Sequence, residues 1–161
     1  MNIEFKSFSN YKRGILYKQL VDSYSFDSKW QEHFDKDWKD YDNFFYNNLQ
    51  FTDDCGFVTI LNGEPIGHIS WDPRNIPRYV EIGHNCIVSK YKGKGYGKKQ
   101  LQEAIYRGAQ YEGIQKIIVT TNGKLTPARH NYESVGFKLH QRRENKDTLF
   151  SGEYIDYEII M

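Results

Sequence analysis

Gly93, Gly95 and Gly97 stand at every second position inside a run of lysines: Lys90, Lys92, Lys94, Lys98 and Lys99. An apolar, β-branched run precedes them (Val80, Ile82, Ile87, Val88) and reads as a strand. A helical pattern follows, with Leu101, Ala104, Ile105 and Gly108 on one face. Strand, glycine loop, helix makes a seat for an anion. The first N–H groups of a helix have no partner inside it and lie at the positive end of its dipole. Removing Cβ atoms lets a phosphate approach those groups. The spacing therefore predicts a phosphate or pyrophosphate site at residues 92–98. A Walker loop is excluded, because Lys92 stands where its first glycine belongs and Lys99 follows Lys98. A dinucleotide fingerprint is excluded too, because the third glycine would fall on Lys98 or Gln100.

The elements around this loop follow from pattern. Residues 79–89 form the strand, 96–111 the helix stopped by Gly113, and 115–121 a buried strand, which implies a parallel crossover pair. Upstream, residues 3–8 read as a first strand and 10–23 as a helix with Asn10 as its cap. Residues 55–61 and 65–71 read as a hairpin across Asn62-Gly63-Glu64. Downstream, Thr126-Pro127 opens a short helix over 128–135, with Thr126 as cap, that ends at Gly136. Residues 137–142 and 150–160 read as two antiparallel strands joined by a polar turn over 143–148.

Residues 27–48 combine two patterns. Trp30, Phe34, Trp38, Tyr41 and Phe45 recur at helical steps and make one aromatic face. Asp22, Asp27, Glu32, Asp35, Asp37, Asp40 and Asp42 oppose only Lys29, Lys36 and Lys39. The aromatic stripe is expected to be buried and the acids solvated. An acidic segment beside a reaction centre would also attract a cationic amine.

Composition narrows the classes. The 161 residues predict one domain spanning the whole chain, and the formal net charge of +1 argues against a general nucleic-acid binder. No run approaches the ~20 apolar residues of a membrane span. Residues 1–9 lack the apolar core of a secretory signal. Cys55 and Cys86 are too few for a disulfide framework, and no C-x-x-C or histidine cluster points to a metal. A cytoplasmic location is the expectation.

Two motifs carry a family resemblance. Lys92-Gly93-Lys94-Gly95-Tyr96-Gly97 resembles motif A of the GNAT superfamily of acyl-CoA-dependent N-acetyltransferases, with Lys in the first place where Gln or Arg is usual. Ala128 to Phe137, read A-R-H-N-Y-E-S-V-G-F, resembles motif B, A-x-x-x-Y-x-x-x-G-F. The order of elements matches over nearly the whole chain. The resemblance implies an α/β GNAT fold: a mixed, mostly antiparallel sheet of about seven strands flanked by about four helices. It implies transfer of an acetyl group from acetyl-CoA to a primary amine by direct attack in a ternary complex, with no metal.

Site residues follow from the same resemblance. The loop (Lys92, Gly93, Lys94, Gly95, Tyr96, Gly97, Lys98) would hold the CoA diphosphate. Backbone groups of residues 85–88, Ile87 and Val88 among them, would bond the pantetheine amides and polarise the thioester. Asn122 is a further candidate contact to the pantetheine arm. Glu81 matches the strand position of the general base in histone-acetylating members, with a strand-edge Glu that pairs with Arg78 or solvent as the plain alternative. His84 is a rival base, on the opposite strand face by strict alternation, and His68 and His130 stand behind it. Tyr132 matches the motif B tyrosine whose hydroxyl reaches the CoA sulfur. Cys86 reads as a small buried residue. Residues 27–42 and the 142–147 turn would shape the acceptor site. The acceptor, a small molecule or a peptide, is left open, and homodimers are common in the family. The rivals are a catalytically silent acyl-CoA sensor or interaction module on the same fold and, less favoured by the charge balance, an RNA-binding domain.

Overall fold

A computed structural model describes residues 2–146 and 152–161. Seven strands form one sheet in the order β1-β2-β3-β4-β5-β7-β6. They are β1 (Ile3–Lys6), β2 (Gly56–Leu61), β3 (Glu64–Asp72), β4 (Val80–Ile87), β5 (Lys116–Asn122), β6 (Lys138–Asn145) and β7 (Gly152–Ile160). The helices are α1 (Ile15–Ser23), α2 (Ser28–Asn47), α3 (Leu49–Thr52), α4 (Tyr96–Gly108) and α5 (Thr126–Ser134). Strand pairs β1–β2, β2–β3, β5–β7 and β6–β7 run antiparallel, and β4–β5 runs parallel. The expected mixed, mostly antiparallel sheet is present. The fifth helix, α3, is a single turn too short to show a periodic stripe. By its contacts the chain divides into two compact units, Met1–Ser70 with His84–Tyr96, and Trp71–Gly83 with Gly97–Met161.

In the first unit, β2 and β3 meet through Asn62 and Gly63, both at positive φ (49° and 84°), as a two-residue hairpin turn requires. Phe8, Leu16, Val58 and Ile60 are fully buried, with Tyr41, Phe45 and Tyr46 of α2 packed against them. Trp30 and Trp38 are buried, and Phe34 stacks between them at 6.0 and 6.1 Å. The aromatic face of α2 is thus core, as its spacing predicts.

The first strand is shorter than expected, because Phe8–Asn10 turns into a 3-10 helix that buries Phe8. Helix α1 starts at Ile15, and Asn10 does not cap it. Asp42 of α2 does, accepting from the backbone N–H of Gly14 at 2.9 Å and of Tyr17 at 3.1 Å. A cap delivered from 28 residues away leaves no local signature. Asp27 caps α2 by accepting from Lys29 N–H at 3.0 Å.

In the second unit, α4 lays Leu101, Ala104 and Gly108 inward. A Cβ at Gly108 would stand 2.9 Å from Ile117 Cδ1, so the helix lies close on β5 because that residue has no side chain. Ile117, Val119, Ile155, Tyr157 and Phe137 are buried. Thr126 is the first residue of α5 rather than its cap, and Pro127 occupies the first turn, where a missing N–H costs nothing. Strand β6 runs on to Asn145, so residues 143–145 are strand and not the expected turn. Of that turn, 147 and 148 lie outside the described residues, as do 150 and 151 of the last strand.

Candidate functional site

The glycine loop connects a 3-10 turn, Ser89–Tyr91, to α4. Gly93 and Gly95 take positive φ (73° and 88°), which a side chain would strain. No heavy atom lies within 4 Å of where a Cβ would stand at either position. Gly97 is already helical, the second residue of α4. The first turn of α4 contains no acid and carries Lys98 and Lys99. Lysines at the positive end of a helix dipole repel it unless an anion offsets them. An open face, left-handed glycines and uncompensated lysines all fit a diphosphate.

Ile87 and Tyr96 pack with Leu61 and Ile66 in a buried cluster joined by Val88 and Tyr91. These side chains hold the loop from beneath. The Val88 N–H donates to the Ile66 carbonyl at 2.8 Å, so β3 already occupies that amide. Successive amides of a strand point to opposite edges, which leaves Ile87 as the better placed donor. Lys94 lies over the Tyr91 ring at 5.8 Å. Lys92 is exposed as a residue, yet partial burial of its ammonium lowers its pKa. That ammonium donates to the Ser23 carbonyl.

His84 packs on Tyr41 with ring centroids 4.2 Å apart, and burial lowers its pKa to about 4. His68 is fully buried beside Gln19 (2.8 Å) and the Cys86 thiol (3.5 Å), and burial lowers its pKa to about 3. Burial pushes the Cys86 thiol up to about 12, which makes it a poor nucleophile. The acids of α2 are largely spent on structure. Asp42 and Asp27 cap helices, Asp35 bonds Tyr17, Gln31 and Lys39, and Asp40 pairs with Lys36 at 2.7 Å. Asp37 is the acid whose charge acts on His84.

In the second unit, Glu81 lies on β4 opposite Ile118, half-buried. Among the described residues its carboxylate makes no hydrogen bond or direct ion pair. Burial raises its pKa, and the charges of Asp72 and Asp156 add to that, while Arg143 and Arg74 oppose it. Both arginines are engaged. Arg143 donates to Asp156 at 2.7 and 2.9 Å, and Arg74 to Asp72 at 2.7–3.1 Å. Arg78 stands over the Tyr79 ring at 5.9 Å, and among the described residues it forms no ion pair with Glu81. Thr120 and Gln141 also donate to Asp156, and the four donors hold its carboxyl far below the carboxylate range. This lattice spans β5, β6 and β7, and no spacing in the chain announced it.

Tyr132 is buried in α5, with Phe137 edge-on at 5.6 Å and Tyr157 tilted at 5.9 Å. Its carbonyl accepts from Phe137 N–H at 3.1 Å, so the motif's glycine turn folds back on the tyrosine. Asn122 is buried at the end of β5, its side-chain carbonyl accepting from Lys124 N–H at 2.8 Å. His130 is exposed on α5. The parallel β4–β5 register covers Val80, Ile82 and Glu81 alone, although β4 runs to Ile87 and β5 to Asn122.

The chain belongs to the acetyltransferase (GNAT) family, whose model matches residues 16–137. Its curated relatives include N-acetyltransferases. The L-amino acid N-acetyltransferase AaaT of Escherichia coli (strain K12) is 26% identical over 101 residues, which is 62% of each chain and less than two thirds of that protein. A GNAT-family acetyltransferase of Bacillus anthracis superposes with a TM-score of 0.72 at 20% identity, over 99% of this chain and 95% of the other. The ribosomal L7/L12 alpha-N-protein acetyltransferase RimL, in complex with coenzyme A, superposes with a TM-score of 0.77 at 12% identity, over 100% and 95%. Likeness at such identity shows the fold. No helix among the described residues is long and apolar enough to cross a membrane.

Proposed function

We propose that the protein transfers an acetyl group from acetyl-CoA to a primary amine by direct attack in a ternary complex. The observation that carries this is the glycine loop of a GNAT chain, with two left-handed glycines and a lysine-bearing helix start. Backbone N–H groups of residues 93–98, with Lys98 and Lys99, would hold the diphosphate, and the Ile87 amide and Asn122 would serve the pantetheine arm. Bound acetyl-CoA supplies an acyl group activated as a thioester.

Glu81 takes the proton of the incoming ammonium, directly or through water. A free carboxylate with a raised pKa is suited to that task. His84 is less suited, because a pKa of about 4 leaves it a weak base. Tyr132 donates its hydroxyl proton to the departing sulfur, a transfer across only ~1–2 pKa units between phenol and thiol. The acceptor class takes its support from relatives whose names specify amino-acid and protein N-terminal amines. A CoA-release assay over amino acids, a peptide N-terminus and a polyamine tests the reading. Release with at least one of these amines is expected. Acetyl-CoA binding with no release from any of them would instead assign a silent acyl-CoA sensor.

A further inference from the structure

The first place of motif A holds Lys92, and its ammonium is turned to the protein. It donates to the carbonyl of Ser23, the last residue of α1, and lies 4.9 Å from the centre of the Phe26 ring. The same two segments meet at three more points. The Ser89 N–H donates to the Asp22 carboxylate at 2.7 Å, the Ser89 hydroxyl donates to the Asp22 carbonyl at 2.8 Å, and the Ser25 and Ser89 hydroxyls lie 3.4 Å apart. The last carbonyls of a helix lack partners within it and carry its negative end, and Asp22 adds a further negative charge there. A lysine ammonium and a backbone N–H supplied from residues 89–92 offset both. Phe26 is 61% exposed, so the connector between α1 and α2 has little apolar burial of its own to hold it at that point.

We propose that Lys92 is a positioning residue: it fastens the end of α1 and the connector that follows it, residues 22–26, to the turn that feeds the glycine loop, rather than gripping phosphate with its side chain. The connector and the lead-in to the loop are then set by one another. The proposal rests on the acetyl-CoA reading only for its kinetic consequence.

The test is chymotrypsin cleavage at the connector, after Phe26, in the CoA-free protein, compared with acetyl-CoA kinetics. Lys92→Met removes a charged hydrogen bond, so cleavage after Phe26 should quicken about tenfold. Lys92→Arg should restore the wild-type rate. Ser89→Ala, which keeps the backbone bond, should quicken cleavage by a smaller factor. In turnover, Lys92→Met should raise the acetyl-CoA KM several-fold, about 3–10 times, with kcat within twofold. Cleavage of CoA-free Lys92→Met at the wild-type rate would overturn the proposal and return Lys92 to the role of a phosphate ligand. Should the wild-type protein bind no CoA, the functional reading fails, while the cleavage comparison still decides the tether.

Discussion

Glu81 differs from its neighbours Asp72 and Asp156 in that its carboxylate makes no hydrogen bond or ion pair among the described residues. Burial raises the Glu81 pKa above the ordinary carboxylate value, and the charges of Asp72 and Asp156, each closed by an arginine, add to it. A general base works only when deprotonated. Activity should therefore fall as pH drops through the raised Glu81 pKa, on an acid limb above the usual 4.5. Glu81→Gln should lower kcat by about 100-fold, within the range for loss of a general base, and abolish that limb, while acetyl-CoA affinity stays near wild type. Steady-state kinetics across pH checks this; an unchanged limb in the glutamine variant would remove Glu81 as the base.

Helix α1 depends on a single buried side chain from another helix. Asp42 is 2% exposed and accepts two N–H bonds at the α1 N-terminus. Asp42→Ala should cost about 1–3 kcal/mol, because it removes a cap and leaves two part-buried donors unpaired. Urea unfolding measures this, and a loss below about 0.5 kcal/mol, the size of an ordinary surface substitution, would contradict the assignment. The same helix shows where the sequence was legible. Periodicity marked the α2 stripe and the α4 face with Gly108, the Asn62-Gly63 dipeptide marked the hairpin, and the order strand, helix, strand implied the parallel β4–β5 pair. The Asp42 cap and the Asp156 lattice join residues far apart in the chain, and only folding brings them together. The strand end at residues 143–145 misled for a related reason: its polar residues resemble a turn, yet the Arg143–Asp156 pair holds them in β6. The loop at Gly93 and Gly95, between a strand and a helix, was legible, whereas the inward turn of Lys92 was not.

Across the whole molecule, one buried histidine, His68, and one half-buried histidine, His84, couple folding to pH. Their pKa values lie at about 4 for His84 and about 3 for His68, below the ordinary 6.5, because burial disfavours the charged ring. Below pH 6.5 the unfolded chain binds protons that the folded chain refuses. Stability is therefore full above that pH and declines as pH falls from 6.5 toward 4, by up to about 1.4 kcal/mol per pH unit for each ring. Unfolding free energies at pH 7.5 and 5.5 should show the decline, with a smaller one in His84→Asn; equal declines in the two proteins would contradict the assignment for His84.

Calorimetric titration with acetyl-CoA, on the wild type and Gly95→Asp, tests the central claim most directly. Gly95 combines a left-handed backbone with an open face, so aspartate brings both strain and a negative charge to the proposed diphosphate seat. The account predicts binding by the wild type and at least about 100-fold weaker binding by the variant, ~2.7 kcal/mol, with an unaltered circular dichroism spectrum. Equal affinity in the two proteins would contradict it.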